Sequence, residues 1–154
     1  MADIVSPEIR SRMMRGIRGK DTKPELVIRS GLHALGFRYR LHVRVLPGKP
    51  DLVFPGRKAV IFVHGCFWHG HDCHLFKWPK TRRAFWHKKI TTNRRNDEKH
   101  IAALREQDWR ILVVWECALK GKTRLAPGRP VQQAARWLNG RALHKEILGH
   151  GVKR

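Results

Sequence analysis

The stretch V-I-F-V-H-G-C-F-W-H-G-H-D-C-H, residues 60–74, joins an apolar segment to a loop rich in metal-binding side chains. Its first four residues are apolar, which is typical of a strand that is covered on both faces. Histidines and cysteines then follow at short intervals, and Phe67 and Trp68 lie among them. We expect this stretch to position most of the chemistry of the chain.

Segments on both sides of this stretch predict a mixed α/β fold. Residues 37–45, F-R-Y-R-L-H-V-R-V, alternate strictly between apolar and polar side chains, and a period of two predicts a half-buried strand. Short apolar runs predict strands at residues 51–54, 59–63 and 109–115. The capping pattern T-K-P-E predicts a helix from Thr22 to about Gly36, and further helices are predicted at 81–107, in one or two pieces, and at 131–138. This order is typical of a central mixed sheet flanked by helices.

A length of 154 residues favours one domain. Residues 1–21 form a basic arm, which we expect to be flexible alone and ordered on DNA, with a frayed terminus as the simpler alternative. Residues 22–140 are expected to fold, and residues 141–154 to form a loosely ordered basic tail. No apolar run approaches the roughly 20 residues of a membrane span, and the N-terminus lacks the apolar core of a signal peptide, so we expect a cytoplasmic protein.

The charge balance favours a polyanionic partner. The chain has 33 lysines and arginines against 12 acidic residues, a net charge of +21 spread from end to end. Nucleic acid is the favoured partner, because neutralising phosphates releases counterions. A solvated basic surface or a membrane-surface protein is the alternative. Six tryptophans, several of them among basic residues, favour nucleic acid because aromatic rings stack on bases.

Cys66, His71, Cys73 and the distant Cys117 form a ligand set that suits tetrahedral zinc. Cys117 follows a predicted core strand, which could deliver it to the loop. Four protein ligands leave no open position, so this zinc would be structural. An odd number of cysteines in a reducing compartment argues against a disulfide framework. Three buried thiols with an exposed histidine are the alternative, and His74 competes with His71 as the fourth ligand.

A second set of side chains has the composition of a phosphodiester-cleaving site. Asp51 lies at the start of one predicted strand, and the next strand ends beside His64. A carboxylate there, with a carbonyl of the neighbouring strand, is a plausible ligand set for Mg²⁺. A histidine, His64 or His69, could act as general base, and Asp97 could orient it. Spacing alone leaves the alternatives that Pro-Asp is an ordinary turn and that Glu25 only completes a helix cap.

Three aromatic residues are candidates for DNA contact. Phe67 and Trp68 lie in a glycine- and histidine-rich loop, and Trp86 lies in the basic segment R-R-A-F-W-H-K-K. Core packing is the default role of tryptophan. Aromatic side chains in such basic surroundings can also insert into a base stack as wedges.

Four motifs together resemble the very-short-patch mismatch repair endonucleases, over roughly residues 10–119. They are R-G-K-D-T-K-P-E at 18–25, L-P-G-K-P-D at 46–51, V-I-F-V-H-G-C-F-W-H at 60–69 and V-V-W-E-C-A-L at 113–119. The resemblance implies the fold of the restriction-endonuclease-like superfamily. It also implies hydrolysis of the phosphodiester 5′ of the thymine in T:G mismatches, which arise when 5-methylcytosine deaminates. A wobble pair stacks weakly, so wedges can open it at modest cost.

The resemblance implies a role for each candidate residue. Asp51 and the backbone carbonyl of Val63, where the family commonly has threonine, bind the catalytic Mg²⁺. The catalytic residues that it implies are Asp51, His69 as general base, His64 and Asp97 as assisting groups, and Glu25 near metal-bound waters. The structural zinc ligands are Cys66, His71, Cys73 and Cys117. The DNA contacts are Phe67, Trp68 and Trp86 as wedges, Met14 on the arm, and Lys89 and Asn93 facing the mismatched pair.

Three functions are compatible with these residues. The leading hypothesis is a Mg²⁺-dependent nickase at T:G mismatches, acting as a monomer on double-stranded DNA, with other mismatch-repair proteins as family-level partners. A zinc-stabilised DNA-binding module is the second, but a binding module has no use for carboxylates placed among phosphates. A restriction-type endonuclease that cuts both strands is the third, and wedges suited to one distorted pair weigh against it.

Overall fold

The structure, a computed structural model, describes residues 22–153 and contains a five-stranded mixed sheet. Its strands lie across the sheet in chain order: β1 (Arg40–Leu41), β2 (Leu52–Phe54), β3 (Ala59–His64), β4 (Arg110–Trp115) and β5 (His144–Ile147). The strands β1, β2 and β3 pair antiparallel, whereas β3, β4 and β5 pair parallel. The predicted mixed α/β class is therefore confirmed.

Helices α1 (Lys23–Ala34), α2 (Arg83–Glu106) and α3 (Arg129–Asn139) accompany this sheet. The start of α1 follows the predicted cap, since the Thr22 side chain accepts a hydrogen bond from the Glu25 N–H at 3.4 Å. The predicted helical region 81–107 forms one continuous helix. Within residues 22–153, no helix has the length and apolar character needed to cross a bilayer.

The sheet carries an apolar layer on each face. Helices α1 and α3 cover one face, and their buried residues include Ile28, Leu32, Ala134 and Trp137. These two helices approach closely because α1 has Gly31 at their contact, where a Cβ would lie 2.6 Å from Val131 Cγ2. Helix α2 packs on the other face through Leu104 and Ile101. The parallel strands β3 and β4, buried on both faces, end side by side at His64 and Trp115.

The strand predicted for residues 37–45 is wrong over most of its length. Only Arg40–Leu41 pairs with β2, which is itself three residues long and offers few partners. His42 has a φ of 49°, in the left-handed region, which ends the strand. Val45, on the predicted inner face, is 89 % exposed. Alternation specifies a half-buried strand only where a neighbouring element covers its apolar face.

The loosely ordered tail predicted for residues 141–154 is also wrong where the structure describes it. His144–Ile147 forms β5, which extends the parallel part of the sheet, and Ile147 is fully buried. The segment after it returns to the core, where the His150 N–H donates to the Thr123 carbonyl at 2.7 Å. The run H-K-E-I has a single strongly apolar residue, so its periodicity gave no sign of a strand.

Candidate active site and metal centre

A cleft of about 880 Å³ opens at the carboxyl ends of β3 and β4. It is lined by the N-terminus of α1, the loop before β2, the loop after β3 and the middle of α2. Most of the candidate catalytic and DNA-contacting residues line it: Asp51, Val63, His64, Phe67, Trp68, His69, Lys89, Asn93 and Asp97. The fold thus gathers candidates that lie far apart in the sequence.

Asp51 is fixed at the start of β2 by the backbone of β3. Its Oδ2 accepts a hydrogen bond from the Val63 N–H at 2.7 Å. Burial raises the pKa of Asp51 to about 7; the Val63 N–H acts in the opposite sense, and the nearby Glu25 carboxylate adds to the increase. Two carboxylates in such proximity form an oxygen-rich site of the kind that Mg²⁺ prefers.

Glu25 lies beneath the same part of the cleft and is 1 % exposed. Arg29 Nη1 donates to its Oε2 at 2.8 Å, and His42 Nε2 lies 2.8 Å from that same oxygen. Ligand atoms of Glu25, His42 and Asp51 all lie within 4.8 Å of one another, and we call this group the carboxylate pocket. The side chain of Glu25 therefore does more than complete a helix cap.

His64 and His69 form a stacked pair beside the carboxylate pocket, with centroids 3.8 Å apart and planes at 7°. His69 Nδ1 lies 2.6 Å from Asp97 Oδ2 on α2. Burial lowers the pKa of His64 well below its ordinary value, so its imidazole is neutral near pH 7, and the two histidines His69 and His71 act in the same direction. A carboxylate bound to one imidazole nitrogen fixes the tautomer and leaves the other nitrogen for proton transfer.

Cys66, His71, Cys73 and Cys117 converge into a second cluster, with ligand atoms within 4.8 Å of one another; we call it the thiolate centre. His71 Nδ1 lies 3.5 Å from Cys66 Sγ and 3.6 Å from Cys117 Sγ. Tetrahedral zinc, with bonds of about 2.3 Å to sulfur and 2.0 Å to nitrogen, places such ligand atoms about 3.6 Å apart. The competing His74 lies elsewhere, with its Nδ1 3.5 Å from Thr123 Oγ1.

Hydrogen bonds within the thiolate centre concentrate negative charge on one sulfur. A hydrogen bond from the Cys66 thiol lowers the pKa of Cys117 to about 4 against the effect of burial, and bonds from His71 and the Gly149 N–H assist. The same Cys66–Cys117 bond raises the pKa of Cys66, and burial raises that of Cys73. A dication with thiolate ligands would displace the remaining protons, so the donor set fits zinc.

Trp115, the last residue of β4, contacts both the histidine pair and the thiolate centre. Its ring stacks on His71 with centroids 4.0 Å apart and meets His64 edge-on at 5.2 Å. Its indole Nε1 donates to Glu146 Oε1 in β5 at 2.9 Å. The end of β4 therefore couples the position of a zinc-ligand candidate to that of a catalytic candidate.

Phe67, Trp68 and Trp86 form one half-buried aromatic cluster beside the cleft. Their ring centroids lie 5.2 to 5.8 Å apart in edge-to-face and tilted arrangements. Asn93 Nδ2 donates to the Trp68 carbonyl at 2.8 Å, which ties the loop to α2. Lys89 lies one turn earlier on the same helix and also lines the cleft. Met14 lies outside the described residues.

Sequence reasoning missed four residues of the site. Arg29 and His42 hold Glu25, Trp115 contacts the histidines, and Glu116 Oε1 accepts from the Cys66 N–H at 3.1 Å. Two of them left a signal: Trp115 and Glu116 immediately precede a zinc-ligand candidate. His42 carried none, because it belongs to the polar face of a segment that reads as a regular strand.

Comparisons with known proteins identify the family of the chain. The family model described as "DNA mismatch endonuclease Vsr" matches residues 2–75. The DNA mismatch endonuclease Vsr of Escherichia coli is 41 % identical over 152 residues, which cover 99 % of this chain and 97 % of that protein. The type II nicking enzyme V.XorIIP of Xanthomonas oryzae pv. oryzae is 51 % identical over 119 residues, 77 % of this chain and 88 % of the relative. The type II nicking enzyme V.NmeAIP of Neisseria meningitidis is 44 % identical over 122 residues, 79 % and 87 % of the two chains.

Proposed function

The chain belongs to the family of the DNA mismatch endonuclease Vsr, and we propose that it is a Mg²⁺-dependent endonuclease that nicks duplex DNA 5′ of the mispaired thymine in T:G mismatches. The observation that carries the proposal is one cleft that is lined by Asp51, by the pair of His69 and Asp97, and by Phe67 and Trp68, with Glu25 close to Asp51. The net charge of +21 supports DNA as the partner. The mixed sheet with helices on both faces is compatible with a restriction-endonuclease-like fold.

The carboxylate pocket is the proposed Mg²⁺ site. Asp51 and the main-chain carbonyl of Val63 would hold the ion, and Glu25 would orient its outer waters. Bound Mg²⁺ supplies charge stabilisation for the phosphodiester and makes a coordinated water more acidic. Valine in place of the threonine common in the family keeps the main-chain carbonyl. It removes one hydroxyl that could orient water.

His69 is the proposed general base on the attacking water. Asp97, 2.6 Å from His69 Nδ1, keeps a proton on that nitrogen, so Nε2 is the nitrogen that accepts a proton. The imidazolium formed in this step is stabilised by the same carboxylate. His64 is neutral and stacked on His69, so it fixes the plane of the ring without adding a second positive charge.

The aromatic cluster is the proposed device for selecting a mismatched pair. Phe67, Trp68 and Trp86 present three rings beside the cleft, and inserting such rings into duplex DNA requires separating a base step. This separation costs less at a weakly stacked T:G wobble than at a paired step. Lys89 and Asn93 lie on α2 where they would face the opened pair, and Met14 is proposed to enter from the other groove.

The thiolate centre is proposed to bind structural zinc and to hold the wedge loop. Cys66 and Cys73 bracket Phe67, Trp68 and His69, and Cys117 anchors them to the end of β4. Zinc with four protein ligands has no open coordination position. Its role would therefore be to fix the segment that carries both a general base and two wedges.

A labelled-duplex assay tests this function. The protein is incubated with Mg²⁺ and one of two duplexes that differ only in a T:G or a C:G pair, and Asp51→Asn is run beside the unaltered chain. We expect one nick, 5′ of the mispaired thymine, and no product from the paired duplex or from Asp51→Asn.

The alternatives give different products in the same assay. A protein that retains the mismatched duplex on a gel without cutting it would be the zinc-stabilised binding module. Cutting of both strands, or cutting of the paired duplex at equal rate, would make it a restriction-type endonuclease. Either result overturns the proposal.

A further inference from the structure

A basic groove of about 400 Å³ lies beside the amino end of β4, whereas the cleft lies at the carboxyl ends of β3 and β4. It runs along α3 to the start of β5, and its cationic residues are Arg129, Arg136, Arg141 and Lys145. No acidic residue lines it. Among residues 22–153, none of the four cationic side chains pairs with a carboxylate. We propose that this groove binds the phosphate backbone of a second DNA segment.

The spacing of the cations follows from the elements that carry them. Arg129 and Arg136 are seven residues apart on α3, which places them on one side of the helix about 10 Å apart. Arg141 comes from the loop after α3, and Lys145 from β5. Glu146, the next residue, points to the opposite face of the strand and binds Trp115. The only carboxylate of β5 is thereby kept out of the groove.

Nearby side chains make the groove floor rigid. The Arg110 guanidinium lies 4.4 Å from the centroid of Trp137 and donates to the carbonyls of Trp137 and Ala142. Arg57 donates to the Leu138 carbonyl at 3.2 Å. These two arginines bond the carbonyls of Trp137 and Leu138 at the end of α3, and none of the four groove cations is used there. A preformed cationic surface binds phosphates with little ordering cost.

The location requires a second DNA segment. Strand β4 begins at Arg110 beside the groove and ends at Trp115 beside the cleft, a distance of about 17 Å along the sheet. A straight duplex that lies across the cleft runs past the carboxyl end of β4. It cannot also run past the amino end of β4, where the groove lies. The groove would therefore hold another duplex, or a distant part of the same one, while the cleft holds the mismatch.

A bridging assay with a matched control tests this site. A short T:G duplex is fixed to beads, the full chain is bound to it, and the retention of a labelled, fully paired duplex of unrelated sequence is measured. The groove variant neutralises its four cations as Arg129→Gln, Arg136→Gln, Arg141→Gln and Lys145→Gln. The control variant makes the same charge change at exposed cations outside the groove and the cleft: Arg44→Gln, Lys99→Gln, Arg105→Gln and Lys122→Gln.

We expect the unaltered chain and the control variant to retain the labelled duplex. The groove variant should retain at least about tenfold less of it. Equal losses in both variants would mean that total charge, and not the groove, holds DNA, and would overturn the proposal. Failure of the unaltered chain to retain the labelled duplex would also overturn the proposal. So would displacement of that duplex by polyglutamate at matched charge concentration, because this would indicate an acidic protein partner.

A different observation concerns the carboxylate pocket. Glu25 Oε2 receives Arg29 from the next turn of α1 and His42 from the end of β1, each at 2.8 Å. A carboxylate buried to this degree needs hydrogen-bonding partners of this kind. We infer that His42 is a positioning residue, which with Arg29 holds Glu25 toward the proposed Mg²⁺ site; this inference rests on the proposed function.

The backbone explains why a histidine at this position reaches Glu25. His42 has a left-handed φ of 49°, which turns the chain out of β1. Its N–H donates to the Asp51 carbonyl at 3.1 Å, while its ring meets Glu25. One residue therefore contacts both carboxylate-bearing residues, through its backbone at Asp51 and through its side chain at Glu25. Movement of His42 would change the separation of the two carboxylates.

Substitution of His42 by glutamine and by alanine tests the inference, because glutamine keeps a side-chain N–H donor and alanine does not. The backbone strain at residue 42 is similar in both variants. Mg²⁺ binding is measured by calorimetry, and nicking is measured across Mg²⁺ concentrations. We expect His42→Ala to weaken Mg²⁺ binding about tenfold with nicking restored at saturating Mg²⁺, and His42→Gln to recover most of the affinity.

The control is His33→Ala, at an exposed histidine of α1 whose ring meets Tyr39 edge-on, and it should change neither measurement. Unchanged Mg²⁺ binding in His42→Ala would overturn the inference. So would a switch of metal preference from Mg²⁺ to Mn²⁺ or the reverse in His42→Gln, since that would make His42 a metal ligand. The calorimetric result stands even if the chain proved not to nick, which separates this inference from the proposed function.

Discussion

The carboxylate pocket and the thiolate centre are both clusters of candidate metal ligands, but they differ in exposure and in donor atoms. The carboxylate pocket takes Glu25, His42 and Asp51 from three separate elements and borders the cleft. The thiolate centre takes three of its four ligands from one loop and closes them with Cys117 from the end of β4. An open, oxygen-rich site can exchange water and phosphate, whereas a closed sulfur-rich site fixes the chain. Loss of the first should remove chemistry, and loss of the second should remove structure.

The largest expected effect is at the thiolate centre. Cys117→Ser should abolish zinc binding and lower the free energy of unfolding by several kcal/mol, because a structural zinc site contributes its binding energy to folding. Metal content and a thermal melt measure this change. Cys117→Ser with full zinc and a normal melting temperature would contradict the division between the two clusters.

His69→Ala, in the loop that also carries Cys66 and Cys73, should remove activity and leave zinc binding and stability unchanged. We expect nicking to fall by about 10²–10⁴-fold, the range for loss of a general base, while zinc content, folding and DNA binding stay normal. Nicking rates and elemental analysis of the same preparation provide the test. Loss of zinc in His69→Ala, or an unchanged nicking rate, would show that His69 belongs to the scaffold.

The pH dependence of the carboxylate pocket should be of intermediate size. Burial raises the pKa of Asp51 from 3.8 to about 7, so between these values the folded Mg²⁺-free protein holds a proton that the unfolded chain has lost. Its contribution to stability is complete below about pH 4 and is lost as the pH rises through 7. Mg²⁺ must displace the same proton, so Mg²⁺ affinity should increase as the pH rises through 7.

Two measurements check this sign. The free energy of unfolding is measured with urea at pH 5 to 8 without added Mg²⁺. Its value for the unaltered chain minus that for Asp51→Asn should decrease as the pH rises. Calorimetric Mg²⁺ binding over the same range should strengthen. A flat difference curve together with pH-independent Mg²⁺ affinity would mean that Asp51 is already ionised in the folded protein.

The smallest expected effect is at Trp115, which contacts both the thiolate centre and the stacked pair of His64 and His69. Trp115→Phe keeps an aromatic ring but loses the hydrogen bond to Glu146, which should cost about 1 kcal/mol of stability. Nicking should fall a few-fold through the position of His64, with zinc retained. Glu146→Gln, which keeps an acceptor, is the control and should preserve both properties. Equal behaviour of Trp115→Phe and the unaltered chain would show that the histidine pair does not depend on the Trp115 hydrogen bond for its position.

The helices and strands that could be predicted are those that are specified by the residues of their own segment. Strands β2, β3 and β4 and the three helices within residues 22–153 were predictable, because continuous apolar runs and caps report on their own segments. The 37–45 strand and the C-terminal tail were wrong for one reason. Whether each segment forms a strand depends on the strand beside it. The strand β1 is short because its partner β2 is short, and β5 forms because it pairs with β4.

The same distinction applies to the site. Three of the four residues proposed for zinc could be grouped from spacing, since Cys66, His71 and Cys73 lie in one short loop, and Cys117 was added because it follows a predicted core strand. The grouping of His69 with Asp97, and of Glu25 with His42, joins residues 28 and 17 positions apart. Nothing in the local sequence specifies such contacts, and the roles of these residues remain predictions for the assays above.

The sequence by itself determined the ligand types, the basic charge, the family motifs and the buried strand that leads into residues 60–74, because these properties belong to single residues or to short periodic runs. Only the tertiary structure decided which side chains the histidines of that stretch contact. His71 faces the cysteines, His64 and His69 stack toward Asp97, and His74 contacts Thr123. The physical reason is that side-chain direction in a tight loop is set by the strand ends and the helix that pack around it, and those partners come from distant parts of the chain.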